Sequence, residues 1–242
     1  MIGSTWLAAA FSLGICTASF AQISGKVTLL GTPPEMKQIK AMAVMPQCAQ
    51  LHKDPVYEET VVAGDKGELA NVIVFLKEVK PGDLKGPQND KPAKLDQKGC
   101  MYSPHVLAVQ VGQPVVVANS DPFLHNVHCE AVANKAFNIV QVNVGENKLD
   151  PFTVEETFTI KCDVHPWMQA YWLVLDNPYF AVTDDRGNFE IKNAPAGTQK
   201  IVVWQEATGY VTAPSGEDVN IKAGDGTSKD FTIDPSKVKP AK

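Results

Sequence analysis

A chain of 242 residues that is 44% apolar and 20% charged has enough apolar content for one or two cores and too much for wholesale disorder. Its formal charge of −5 gives no basic footprint, so nucleic acid is excluded as an expected partner. Beyond the first residues, no stretch is long and apolar enough to read as a membrane-spanning helix.

Residues 1–21, MIGSTWLAAAFSLGICTASFA, carry no charge, hold an apolar run from Trp6 to Cys16 and end in Ser19-Phe20-Ala21 before Gln22. Small residues at the third and first positions before a cut predict a signal peptide, and the apolar run is too short to span a bilayer. The missing Lys or Arg ahead of that run departs from the usual pattern. The expectation is an exported, soluble mature chain that starts near Gln22 in an oxidising compartment.

The remainder reads as strands and turns. KVTLL, NVIVFL, VLAVQV, PVVVAN, FTIK and YWLVLD are short, rich in β-branched or aromatic residues, and mostly bounded by Gly, Pro, Asn or Asp. Only residues 38–52 allow a short helix. Residues 79–97, dense in Lys, Pro, Gly and Asp, predict an exposed loop or linker, and 235–242 predict a flexible tail. The fold class is mainly β, as sandwiches.

Two segments carry chemistry. In KCDVHPWM, Cys162, His165 and Met168 recur at intervals of three, with Pro166 stiffening the turn between the last two. Thiolate and thioether sulfur suit Cu(I) and imidazole suits Cu(II), so this donor set serves an ion that changes between the two. The alternative is three incidental residues, one of them a half-cystine. The segment ANSDPFLHNVHCEA supplies another donor. PVVVAN predicts a strand, SDP a turn and His125 the start of the next strand. Side chains alternate along a strand, so His125, Val127 and Cys129 share one face, with Asn126 and His128 on the other. His125, nearer the turn, is the expected ligand.

These two segments resemble the cupredoxins, most closely the amicyanin type with its short Cys-x-x-His-x-x-Met spacing. MYSPHVLAVQVGQPVVVAN also resembles the strand pair that precedes the first histidine in that family. The resemblance covers about residues 98–176. It implies a Greek-key β-sandwich over 98–177 and one copper ion held by His125, Cys162 and His165 in a plane, with Met168 on the axis. It implies that Asn126 braces the cysteine loop and that His128 is not a ligand. It further implies that the His165 edge lies near the surface among Pro166, Trp167 and Phe123, where redox protein partners dock. Leu124, Cys129 and Gln169-Ala170 depart from the family's pattern without removing a ligand.

With Cys162 given to copper, Cys48, Cys100 and Cys129 cannot all pair. Cys129 is expected as a buried free thiol, which leaves Cys48–Cys100 as the preferred disulfide. Cys48 and His52, with Met42 and Met45 nearby, are also spaced for a second soft-metal site. A half-cystine, a surface histidine and core methionines are the favoured reading there. His105 is expected at a strand end or on the surface.

Residues 182–210 show a second pattern. Asp-Arg-Gly predicts a hairpin turn between FAVTD and NFEI, and Ala-Pro-Ala-Gly turns into KIVVW. This resembles the carboxypeptidase regulatory-like domains, which are small transthyretin-like sandwiches. In one arrangement 22–78 and 178–234 form such a second, small sandwich, split by the cupredoxin insertion. In the other, NVIVFL belongs to the copper-bearing sheet. The functional expectation is an exported type 1 copper protein that carries single electrons and is not an enzyme. The alternatives are copper handling or a non-redox binding module. Five histidines in all are too few for a multicopper oxidase, by resemblance to that family, and neither a nucleophile–base motif nor a phosphate loop is present.

Overall fold

The computed structural model describes residues 21–84, 89–224 and 226–239. The predicted leader therefore falls outside the described residues except for Ala21.

In chain order, β1 spans Ala21–Leu29 and is followed by two helical turns, α1 (Lys40–Ala43) and α2 (Pro46–Ala49), before β2 (Ile73–Lys77). Nine strands come next: β3 (Ala93–Lys98), β4 (Met101–Ser103), β5 (Val106–Gln110), β6 (Val115–Asn119), β7 (His125–Cys129), β8 (Phe137–Gln141), β9 (Gly145–Leu149), β10 (Glu156–Lys161) and β11 (Gln169–Leu175). The last seven are β12 (Phe180–Val182), β13 (Asn188–Ala194), β14 (Gly197–Gln205), β15 (Gly209–Tyr210), β16 (Glu217–Ile221), β17 (Gly226–Ser228) and β18 (Phe231–Ile233).

The strands form four sheets. One joins β1 to β13, β17 and β18, and the second runs β12-β2-β14-β15, with β16 beside β14. The third runs β5-β11-β10-β7-β8 and the fourth β4-β3-β6-β9. The strand NVIVFL thus lies between β12 and β14, in a sheet with strands from the far end of the chain.

Three apolar cores separate the four layers. Ile23, Val27, Val74, Leu76, Ile191, Ile201 and Val203 fill the first. Val117, Val127, Phe158, Ile160, Trp172 and Val174 lie in the last, which carries the metal-ligand candidates. The middle core takes Ile73 and Phe75 of β2, Val202 and Trp204 of β14, Val106 and Ala108 of β5, and Leu173 and Leu175 of β11. Those four strands are buried on both faces, alternate residues going to different cores. That is why they read as unbroken apolar runs, where a one-sided strand alternates.

The structure corrects several expectations. The exposed segment 79–97 ends early, because Ala93, Leu95 and Gln97 alternate inward from β3 while Lys94 and Lys98 face out. Its charge masked a period-2 strand. Within 22–78, residues 39–48 leave the first sandwich, and Ile39, Met42 and Cys48 join the core around the ligand candidates.

The Asp-Arg-Gly turn is locally tight, with Asp184 N–H donating to the Asn188 carbonyl at 3.0 Å. However, β12 pairs with β2 and β13 with β1, so the turn joins two sheets and not a paired hairpin. Gly187, at φ +71°, makes this approach: a Cβ there would lie 2.5 Å from the Val27 carbonyl oxygen. The tail is docked through residue 239: Asp234 accepts from Ser236 N–H, and Lys239 N–H donates to the Ala207 carbonyl at 2.9 Å.

Candidate metal centre

Asn119 closes β6 and folds the turn that follows it. Its Oδ1 accepts from Asp121 N–H at 3.0 Å and its Nδ2 donates to the Phe123 carbonyl at 2.9 Å. His125 then opens β7, fully buried. On the other side, Lys161 and Gln169 are paired as β10 runs into β11, so 162–168 form a closed loop. Cys162 N–H donates to the Met168 carbonyl at 3.1 Å and Met168 N–H to the His165 carbonyl at 2.8 Å, which turns the loop inward. His165 and Met168 are fully buried, and Cys162 nearly so.

The two segments meet. His125 Nδ1 and His165 Nδ1 face each other at 3.0 Å, and Cys162 Sγ lies 3.7 Å from His165 Nδ1. One donor atom from each of the three lies within 4.8 Å of the others. Bonds of about 2.0 Å to nitrogen and about 2.3 Å to sulfur, usual for a first-row ion, span such separations, so the donor set fits copper. Met168, fully buried in the same core, would offer a soft thioether sulfur to such an ion.

The surroundings prepare the donors. His125 Nε2 donates to Asp121 Oδ2 at 2.9 Å, which leaves the Nδ1 lone pair of the neutral ring directed at Cys162 and His165. Asp121 also accepts from the N–H groups of Gly99 and Cys100, both at 2.8 Å. Burial alone would raise its carboxyl; these hydrogen bonds hold it below the usual range. For His125, burial lowers basicity, but Asp121 and Cys162 together raise it above the ordinary value. Burial likewise pushes the Cys162 thiol up, yet its contacts with the His125 and His165 rings and the backbone hydrogen bonds around it bring it down to about 6. A thiol so placed releases its proton readily to solvent as its sulfur binds a metal.

Asn126 braces the loop. Its Oδ1 accepts from Asp163 N–H at 2.8 Å and faces Cys162 Sγ at 3.3 Å, while its Nδ2 donates to Asp163 Oδ2 at 2.8 Å. Tyr102 OH donates to the Asn126 carbonyl at 2.5 Å. His128 points outward to Asp163 Oδ1 at 2.9 Å, away from the three facing donors.

The surface around His165 differs from the expectation. Its ring is fully buried. Cys48 and Cys100 form a disulfide and a His165 ring nitrogen lies within 4.8 Å of both sulfurs, so the α2 segment covers the edge expected near solvent. Pro166 is exposed; Phe123 and Trp167 are half-buried. Phe123 lies 5.3 Å from the His125 ring and Trp167 5.3 Å from the His165 ring, and Trp167 Nε1 donates to the Cys100 carbonyl at 2.9 Å.

Cys48 and His52 are not brought together as donors: Cys48 is bonded to Cys100, and the His52 ring bonds the Gly99 carbonyl at 2.7 Å. Cys129 is a buried free thiol whose burial pushes it up to about 11. His105 stands at a strand end but is buried, bonded to Glu206 with Glu59 at 3.8 Å. Asp121 and Tyr102 are the functional neighbours that sequence reasoning missed. Asp121 had a signal, since an acid four residues before a ligand histidine, across an Asx turn, can reach back to its ring.

No family model matches the chain, and no curated protein matches it. Among solved structures, the copper-containing nitrite reductase of Thermus scotoductus SA-01 is similar at 21% identity over 36% of this chain, with a TM-score of 0.33. The match spans 23% of that enzyme's length. A Cu(I) variant of amicyanin is similar at 24% identity over 35% of this chain and 82% of its own, with a TM-score of 0.31. A purple cupredoxin from Nitrosopumilus maritimus is similar at 24% identity over 34% of this chain and 99% of its own, with a TM-score of 0.30.

Proposed function

We propose that this chain carries single electrons on a type 1 copper ion held by His125, Cys162 and His165, with Met168 on the axis. The observation that carries the proposal is the convergence of two imidazole Nδ1 atoms and the Cys162 sulfur inside a buried core. Bound there, copper would supply a one-electron couple between Cu(I) and Cu(II). The chain's own part is to hold the donors still and keep water out. Asp121 orients His125, and Asn126 and the Met168 carbonyl fix the cysteine loop. The less rearrangement the donors undergo between oxidation states, the smaller the barrier to transfer.

Because the His165 edge is covered, partner docking falls to Pro166 and the exposed Leu124, with the Phe123 and Trp167 rings leading inward. Such encounters are small and short-lived. Export to an oxidising compartment is part of this reading and agrees with the disulfide. Among the described residues, no helix is long and apolar enough to cross a membrane. The outer sandwich is read as a regulatory-like domain.

The test is the visible absorption of the oxidised, copper-loaded protein. An intense thiolate-to-copper band that bleaches on reduction is expected. Cys162→Ser removes the band, whereas Met168→Leu keeps copper bound and shifts the potential. A blue band that survives Cys162→Ser would refute the assignment.

A further inference from the structure

The disulfide covering His165 has a composition that a purely structural staple does not need. Cys48 and Cys100 are fully buried, and a ring nitrogen of His165 sits within 4.8 Å of both sulfurs. The ring's Nδ1 is engaged by His125 and faces Cys162, while its buried Nε2 has no hydrogen-bond partner among the described residues. An unpartnered buried ring nitrogen is unfavourable, because it gives up its hydrogen bond to water and gains none in return. Cys100 adds to this. It occupies the second position of the two-residue turn between β3 and β4 at φ +54°, after Gly99 at +64°. The left-handed conformation is unfavourable for a non-glycine residue, and glycine there would relieve it but also remove the sulfur.

We propose that in its dithiol form the Cys48–Cys100 pair, with His165 Nε2 as third donor, is a second site for a thiophilic ion of the Cu(I) class, back to back with the first. Opening it takes two electrons and two protons from a dithiol reductant. That reductant becomes a disulfide as the Cys48–Cys100 bond breaks to two thiols. Cu(I) then binds the two thiolates and releases both protons. Two thiolates alone satisfy Cu(I), whose preference is for soft sulfur. His165 Nε2 joins them while Nδ1 carries the ring proton and the first site is empty; with copper in the first site the two thiolates hold the second ion alone. Met42, buried in the same core, and Met45, packed against it, add to the soft apolar lining.

The probe is Cu(I), titrated anaerobically into the copper-free full chain against a chromophoric chelator. One Cu(I) is expected with the disulfide intact and two after reduction by a phosphine. The Cys48→Ser/Cys100→Ser protein should bind one under both conditions and keep the blue band when oxidised, which also shows that it folds. In reduced Cys162→Ser protein, X-ray absorption of a single bound Cu(I) should show sulfur together with one nitrogen neighbour. A stoichiometry of one after reduction overturns the site, as does a second ion persisting in the double variant. A sulfur-only spectrum overturns the role of His165. The electron-carrier reading, which the blue band of the oxidised protein tests, stands or falls separately.

Discussion

Asp121 shows how one carboxylate can set the behaviour of a buried donor group. It fixes the tautomer of His125 and ties Gly99 and Cys100, which border the site, to the same anion. Asp121→Asn should therefore weaken copper binding by about 10–100-fold, measured by chelator competition; an unchanged affinity would show that the ring needs no such partner. The Cys162 thiol makes a second prediction at this scale. Its acidity is about 6 in the fold against an ordinary 9.0. A depressed value stabilises the copper-free fold fully above 9.0, with the contribution declining as pH falls and gone below about 6. Between those limits wild type should gain stability over Cys162→Ser as pH rises, in denaturant titrations; parallel curves would rule out the thiolate. Copper affinity should also fall about tenfold per pH unit below that point from this proton alone.

Among elements, β2 and β14 show what two-sided burial asks of a strand. Val74 and Leu76 enter one core and Ile73 and Phe75 the next, and β14 repeats the division with Val203 against Val202 and Trp204. Such strands have no polar face on which substitution is free. Phe75→Ala should cost about 3–5 kcal/mol, seen as an earlier denaturation midpoint; a loss below about 1 kcal/mol would mean that the layers do not pack through this ring. The β7–β8 connection depends on an anion instead. Burial raises the Glu156 carboxyl, but the hydrogen bonds it accepts from the N–H groups of Val132, Ala133 and Asn134 together outweigh this and lower it to about 2.

For the molecule as a whole, the Cys48–Cys100 bond ties a segment entering from the outer sandwich to the turn beside the metal-ligand candidates, across 52 residues. Loop entropy assigns such a link about 4 kcal/mol, so the double serine variant should unfold at correspondingly lower denaturant. That loss is within the usual stability of about 5–15 kcal/mol, and the variant should remain folded at 25 °C; an unchanged midpoint would mean that packing alone holds the segment. Much of the molecule was readable beforehand. Strand runs, turn residues and the spacing of Cys162, His165 and Met168 are local properties. Other features depend on contacts between residues far apart in the chain. Ala93–Lys98 looked like a linker because its inward residues are few and its outward ones charged. The Asp-Arg-Gly turn looked like a hairpin because its local geometry is one, and only the partners of β12 and β13 reveal two sheets. The cover over His165 comes from residues more than a hundred positions earlier. The amino-acid sequence by itself determined the strongly apolar β elements and the donor types, since both follow from side-chain period and chemistry. Tertiary structure alone decided which strands share a sheet, which polar groups steady the donors and what faces the far edge of His165, because those depend on long-range packing that no short window of sequence contains.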